Sequence, residues 1–171
     1  NGKLLKLVNN IADLWSDSLV AFAIGCSFTF EHSLIKNGFK IDHIENNKVV
    51  PMYKTNISCA SAEPFTGNMV VSMRPMPARQ AIRAIQVCSR FPSAHGAPIH
   101  LGDPRRIGMC NLAEPDFGDP VTVRDNDIPL FWACGVTPQL ALQNARVPVA
   151  ITHEPGHMLI TDMKNTDLAL L

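Results

Sequence analysis

The sequence predicts an α/β fold, and three stretches carry that expectation. Residues 20–24 (VAFAI) run into Gly25-Cys26-Ser27 ahead of a helix over 28–37, and residues 129–133 (PLFWA) pass through Cys134-Gly135 to a helix opened by Pro138 and running to about 145. A short apolar run bounded by small turn residues is the pattern of a strand buried on both faces. The third stretch is a strand over 69–74 (MVVSMR), followed by Pro77 in the first turn of a helix whose apolar face is Ala78, Ala81, Ile82, Ile85 and Cys88. Strands alternating with helices imply layered packing, with ligand-binding groups gathered at one edge of the sheet.

Composition narrows the functional classes. Fifteen basic residues balance fifteen acidic ones, which removes the electrostatic case for a nucleic-acid or membrane-surface partner. The most apolar run covers 19–30, twelve residues without a charge, against the ~20 a membrane span needs. No basic segment precedes an apolar one as in a signal peptide, and the first residue, Asn1, suggests that residues upstream are missing. Five cysteines (Cys26, Cys59, Cys88, Cys110, Cys134) lie far apart without a C-x-x-C pair. That pattern fits reduced thiols in a cytoplasmic compartment and speaks against a structural zinc site.

Taken in order, residues 10–19 place Ile11, Leu14, Trp15 and Leu19 on one helical face ahead of the strand at 20–24. The helix over 28–37 stops at Gly38. Its start presents backbone N–H groups that favour anions and depress a thiol pKa, so Cys26 and Ser27 are candidate anion-binding or nucleophilic positions. Residues 40–50 are polar, with Asn46-Asn47 as a turn between short strands; 51–57 is a strand and 58–68 a loop. Thr55, Asn56, Ser58 and Cys59 form a polar cluster at the loop entrance. Arg79 and Arg83 suit a solvated helix face. Residues 105–110, 121–123, 147–151 and 158–162 complete the expected strands, and 111–119 is turn-rich. His153 and His157 are four apart, but Pro155-Gly156 between them excludes a helical zinc pair.

Residues 88–104 (CSRFPSAHGAPIHLGDP) hold two histidines, an arginine, an aspartate, two glycines and three prolines. Such a density of Gly and Pro describes a loop of fixed shape rather than a helix or strand. Arg90, His95, His100 and Asp103 are thereby presented on a rigid connection, as binding and catalytic groups often are; a packed structural loop uses the same residues.

Several stretches together resemble one family: residues 22–31 (FAIGCSFTFE), 51–57 (PMYKTNI), 70–75 (VVSMRP), 89–92 (SRFP) with 95–98 (HGAP), 115–119 (PDFGD), 131–138 (FWACGVTP) and 152–157 (THEPGH). They are similar, in order and over nearly the whole chain, to the hydro-lyase family of bacterial YcsI-like proteins that includes the first domain of mitochondrial D-glutamate cyclase. The resemblance implies a three-layer α/β/α body with a mixed sheet plus a smaller two-layer α/β part. On that basis residues 1–171 form a single domain, with a small subdomain within about 105–130, and lack the N-terminal section with a Gly-Tyr-Val-Gln-Ala-Asn-like motif that family members carry. It also implies a lyase of the cytoplasm, or of the mitochondrial matrix in a eukaryote.

The implied reaction converts D-glutamate to 5-oxo-D-proline with loss of water. It needs a neutral amine, a protonated leaving oxygen and donors to the developing oxyanion. His95 and His100 are the proton-transfer candidates because imidazole titrates near neutrality, with Asp103 orienting one of them; Asp116, His153 and Glu31 stand behind them. Arg74 and Arg90 suit a bidentate grip on substrate carboxylates, with Cys26, Ser27, Asn56, Thr137 and His153 as further binding residues. No cofactor and no metal are called for. The expected partner is a small-molecule carboxylate, without nucleic acid or membrane, with a homo-oligomer also compatible. A lyase eliminating β-hydroxide from another small acid, a non-catalytic small-acid binding domain, and acyl transfer through Cys26 or Cys134 are the alternatives.

Overall fold

The computed structural model describes residues 2–170. Its helices are α1 (Phe28–Lys36), α2 (Asp42–Glu45), α3 (Ala78–Cys88) and α4 (Thr137–Ala145). Its strands are β1 (Met52–Ser58), β2 (Asn68–Pro77), β3 (His100–Leu101) and β4 (Asp127–Ala133). The strands form one sheet in the order β1-β2-β4-β3. Every pairing is antiparallel, where a mixed sheet was expected. The chain is α/β.

Directly opposed residues on neighbouring strands share a sheet face, and the pairs Met52↔Ser72, Ser72↔Trp132 and Arg74↔Leu130 define the face beneath the helices. There α1 contributes Phe30 and Leu34, and α3 contributes Ala81, Ala84 and Cys88, around Leu130 and Trp132. Each large side chain sealed in that layer is worth about 1.5–3 kcal/mol. The opposite face carries Tyr53, Val71, Met73 and Phe131 and is covered by Ile107, Met109 and Val121. Those residues belong to coil and a 3-10 helix (Pro104–Ile107), not to a second helical layer. Tyr53 Oη donates to Leu112 O at 2.7 Å and ties that coil to the sheet.

α1 ends as expected: Asn37 closes it and Gly38 takes φ +80°, a left-handed angle that costs glycine least. Other expectations are corrected. Residues 10–19 form only a 3-10 turn (Ala12–Leu14), with Ile11, Leu14 and Trp15 exposed. Residues 20–24, 121–123, 147–151 and 158–162 form no strand, and Phe22 is 83% exposed. A strand exists only where a neighbour completes its hydrogen bonds, which an apolar run cannot supply alone. Residues 105–110 turn instead, because Asp103 Oδ1 caps Arg105 N at 3.1 Å and Pro104 presets the helical φ. In 40–50 the short strands give way to α2, although the Asn46-Asn47 turn is present. On α3 the buried face takes in Ala84, while Ala78 and Ile82 are exposed. No helix of the described residues is long and apolar enough to cross a membrane.

Candidate functional site

β2 points Arg74 into the helix-covered face, where the guanidinium is 2% exposed. A buried charge requires a partner and full hydrogen bonding, and the first turn of α1 supplies both. Arg74 Nε donates to Glu31 Oε1 at 2.8 Å, and Nη2 donates to the same oxygen. Nη2 also donates to Ser27 Oγ at 2.9 Å, and Nη1 to Ser72 Oγ at 3.1 Å. The rings of Phe30 and Trp132 lie 5.3 and 5.2 Å from the guanidinium carbon and exclude water from it. Burial would raise the Glu31 pKa; Arg74, and then His43, outweigh it and hold the carboxyl below the ordinary range.

One side of this ion pair faces two tight turns. Gly25 packs on the main chain of residues 93–94, so that a Cβ there would collide with Ser93 O. This contact brings α1's start against the loop that carries His95, whose φ is +75°. His95 is half-buried beside Gly25; burial first, and then the Arg74 charge, lower its pKa, so the imidazole is neutral at pH 7. Cys26 and Cys134 stand in the same group. Burial pushes both thiols up, beyond the lowering effect of the Phe28 and Val136 backbone N–H groups. The depressed thiol expected at α1's N-terminus is therefore not found.

The other side opens to a cleft of about 260 Å³ lined by Phe28, Glu31, His43, Ile44, Lys48, Val49 and Gly156. His43 is 4% exposed, and its Nε2 lies 3.1 Å from Glu31 Oε1, but off the hydrogen-bond line, leaving Nε2 without a hydrogen-bond partner among the described residues. No hydrogen bond of the described residues uses Glu31 Oε2, which is not sealed from solvent. At the rim, Lys48 N donates to His43 O at 2.8 Å and Lys48 Nζ to Pro120 O at 2.8 Å.

The structure thus gathers Arg74, Ser27, Cys26 and His95 and separates the remaining candidates. His100 opposes Phe131 in the ladder and rests on its ring, centroids 5.7 Å apart, on the coil-covered face. Its Nε2 lies 2.9 Å from Asp103 O, while the Asp103 carboxylate is occupied by Arg105. Arg90 is exposed and donates from Nε to Leu170 O at 3.1 Å. Asn56 is exposed against Gly108. Thr137 Oγ1 accepts from Val70 N at 3.0 Å, pinning α4 to β2. His153 is exposed, and its carbonyl accepts from Gln139 Nε2 at 2.9 Å. Asp116 pairs with Lys54 at 3.4 Å. Sequence reasoning passed over His43 and Lys48, which sit in a polar stretch with no motif to single them out.

Residues 20–162 match the family model described as D-glutamate cyclase. The chain belongs to the D-glutamate cyclase family. Among its relatives, provisionally named hydro-lyases of Geobacillus kaustophilus and Stutzerimonas stutzeri are 55% and 54% identical over 171 residues. One of Paraburkholderia phytofirmans is 57% identical over 171 residues. Each alignment takes in all of this chain but only 65%, 64% and 66% of the relative, respectively, so the chain spans just under two-thirds of these family members.

Proposed function

We propose that this chain forms the catalytic part of a lyase releasing water from a small acid, and that its reaction is cyclisation of D-glutamate to 5-oxo-D-proline. The observation that carries the proposal is the buried Arg74–Glu31 pair flanked by His95 on one side and His43 on the other, in a chain of the D-glutamate cyclase family. Cyclisation moves two protons from the substrate ammonium to the departing carboxylate oxygen, which leaves as water once the nitrogen has bonded to the carboxyl carbon. His95, kept neutral, relays them one at a time, taking each from nitrogen and giving it to the departing oxygen. Arg74 supplies a fixed positive field for the developing oxyanion while its own hydrogen bonds stay within the protein. Ser27 and Cys26 shape the wall, and Thr137, Asn56, Arg90 and His153 act at the periphery. His100 and Asp103 hold the loop that presents His95.

In the whole protein the antiparallel sheet and its helices belong to a three-layer α/β/α body, with about 105–130 as a smaller part. It works in the cytoplasm, or in the mitochondrial matrix of a eukaryote, on a free small-molecule carboxylate.

The test is proton NMR of the full-length protein with D-glutamate, L-glutamate and hydroxy acids in D₂O. Formation of 5-oxo-D-proline without α-deuterium is expected. Alkene formation or α-exchange would replace the cyclase with a β-eliminating lyase. Ligand-induced thermal stabilisation without any product would leave a binding module.

A further inference from the structure

We propose that residues 20–24 are an inner strand of the whole protein, paired with a strand from the third of the family's length that these 171 residues do not span.

Residues 20–24 (VAFAI) contain neither Gly nor Pro, so every backbone N–H and C=O is available to a ladder. Among the described residues none of those groups takes part in a hydrogen bond; the flanking backbone bonds are Leu19 N to Ser16 O and Thr29 N to Cys26 O. The side chains are uncovered as well, with Val20 75% and Phe22 83% exposed. Ten of the 23 large apolar side chains exposed among the described residues lie between Leu4 and Ile24, so the open apolar surface is concentrated on one stretch of chain. Such a concentration marks a surface that something covers.

Relatives 54–57% identical carry about a third of their length beyond the region they share with this chain. An attached segment suits the stretch better than a partner that comes and goes. A face left in water between encounters is no more apolar than the rest of a surface, whereas residues 19–30 hold no charge at all, as a strand buried on both faces does. A strand laid along 20–24 would also take up the open hydrogen-bonding groups, which an apolar helix could not. Residues 20–24 run directly into Gly25, which rests on Ser93 and Ala94, so the added strand would anchor the turn beside the His95 loop.

The test is hydrogen–deuterium exchange of the full-length protein, read by mass spectrometry on peptides covering 20–24. Their amides should exchange at least about a hundredfold more slowly than in an unstructured chain, and equally at low and high protein concentration. Phe22→p-benzoylphenylalanine, photolysed in the same protein, should cross-link within one molecule to a peptide outside the 171 residues. Phe22→Asp should lower the thermal midpoint by about 6–12 °C, because it buries a charge without a partner. Coil-like exchange of 20–24 would overturn the proposal whatever the variants do. Protection that fades on dilution, with cross-links between molecules, would give the face to a second copy and overturn it too. So would cross-links confined to these 171 residues, or a midpoint shift below about 2 °C for Phe22→Asp.

Discussion

Arg74 Nε donates to Glu31 Oε1 at 2.8 Å across 43 residues of sequence, joining β2 to α1 in the most protected part of the molecule. Because the aromatic rings of Phe30 and Trp132 close over the guanidinium, its charge cannot be resolvated if Glu31 is removed.

Glu31→Ala should therefore destabilise the fold by about 3–5 kcal/mol, the cost of an uncompensated buried charge. Glu31→Gln, which keeps an oxygen acceptor, should cost less. Urea unfolding of both variants measures this, and a loss below about 1 kcal/mol for Glu31→Ala would mean that water reaches Arg74.

The same pair sets an acid limit. The folded Glu31 carboxyl titrates below the ordinary 4.5 of a glutamate, so the unfolded chain binds the proton more readily. The stabilisation is fully present above pH 4.5 and is lost as pH falls through the lower folded value. Midpoints of unfolding recorded from pH 7 to pH 3 should fall for the native protein and fall less for Glu31→Gln.

His95→Gln should lower kcat by about 10²–10⁴ while leaving the thermal midpoint nearly unchanged, as expected of a proton-transfer group. The acid limb of kcat/KM should lie below the ordinary 6.5 of histidine, because burial and Arg74 disfavour the imidazolium. A variant that fails to fold would assign His95 to holding the loop.

Iodoacetamide should discriminate among the thiols. Cys110 is exposed and should label first. Cys26 and Cys134, whose pKa values burial raises, should label slowly at pH 7, and Cys88, pushed up to about 12, slowest. Fast labelling of Cys26, read by peptide mass spectrometry, would restore it as a nucleophile.

Much of this was legible in the residues. Helices α1, α3 and α4 and strands β1, β2 and β4 follow from local patterns: Gly38 ends a helix, Pro77 precedes one, and β2 reads as a strand from its Val, Met and Ser content. The gathering of the 25–27 and 134–135 turns was expected from two small-residue turns of the same kind, whereas the place of the His95 loop beside them was not. Illegible were the features that depend on distant partners. Residues 20–24 and 147–151 carry a strand's composition yet form no strand. His43 becomes notable only because Glu31, twelve residues earlier, turns towards it across the α1–α2 corner. The orientation of Arg74, inward onto Glu31, depends on which sheet face the helices cover, and no local periodicity encodes that.

Gly25 has a consequence of a different kind. It meets Ser93 O and the Cα of Ala94, so the spacing between α1 and the histidine loop is set by main chain resting on main chain. Replacing the side chains of Ser93 or Ala94 would leave those contacting atoms in place. Mutational tolerance should therefore be broad at 93 and narrow at 25, where even one methyl group would displace His95 from Arg74. A library scan of residues 24–27 and 92–95, selected for activity, would show this as intolerance at 25 set against tolerance at 93.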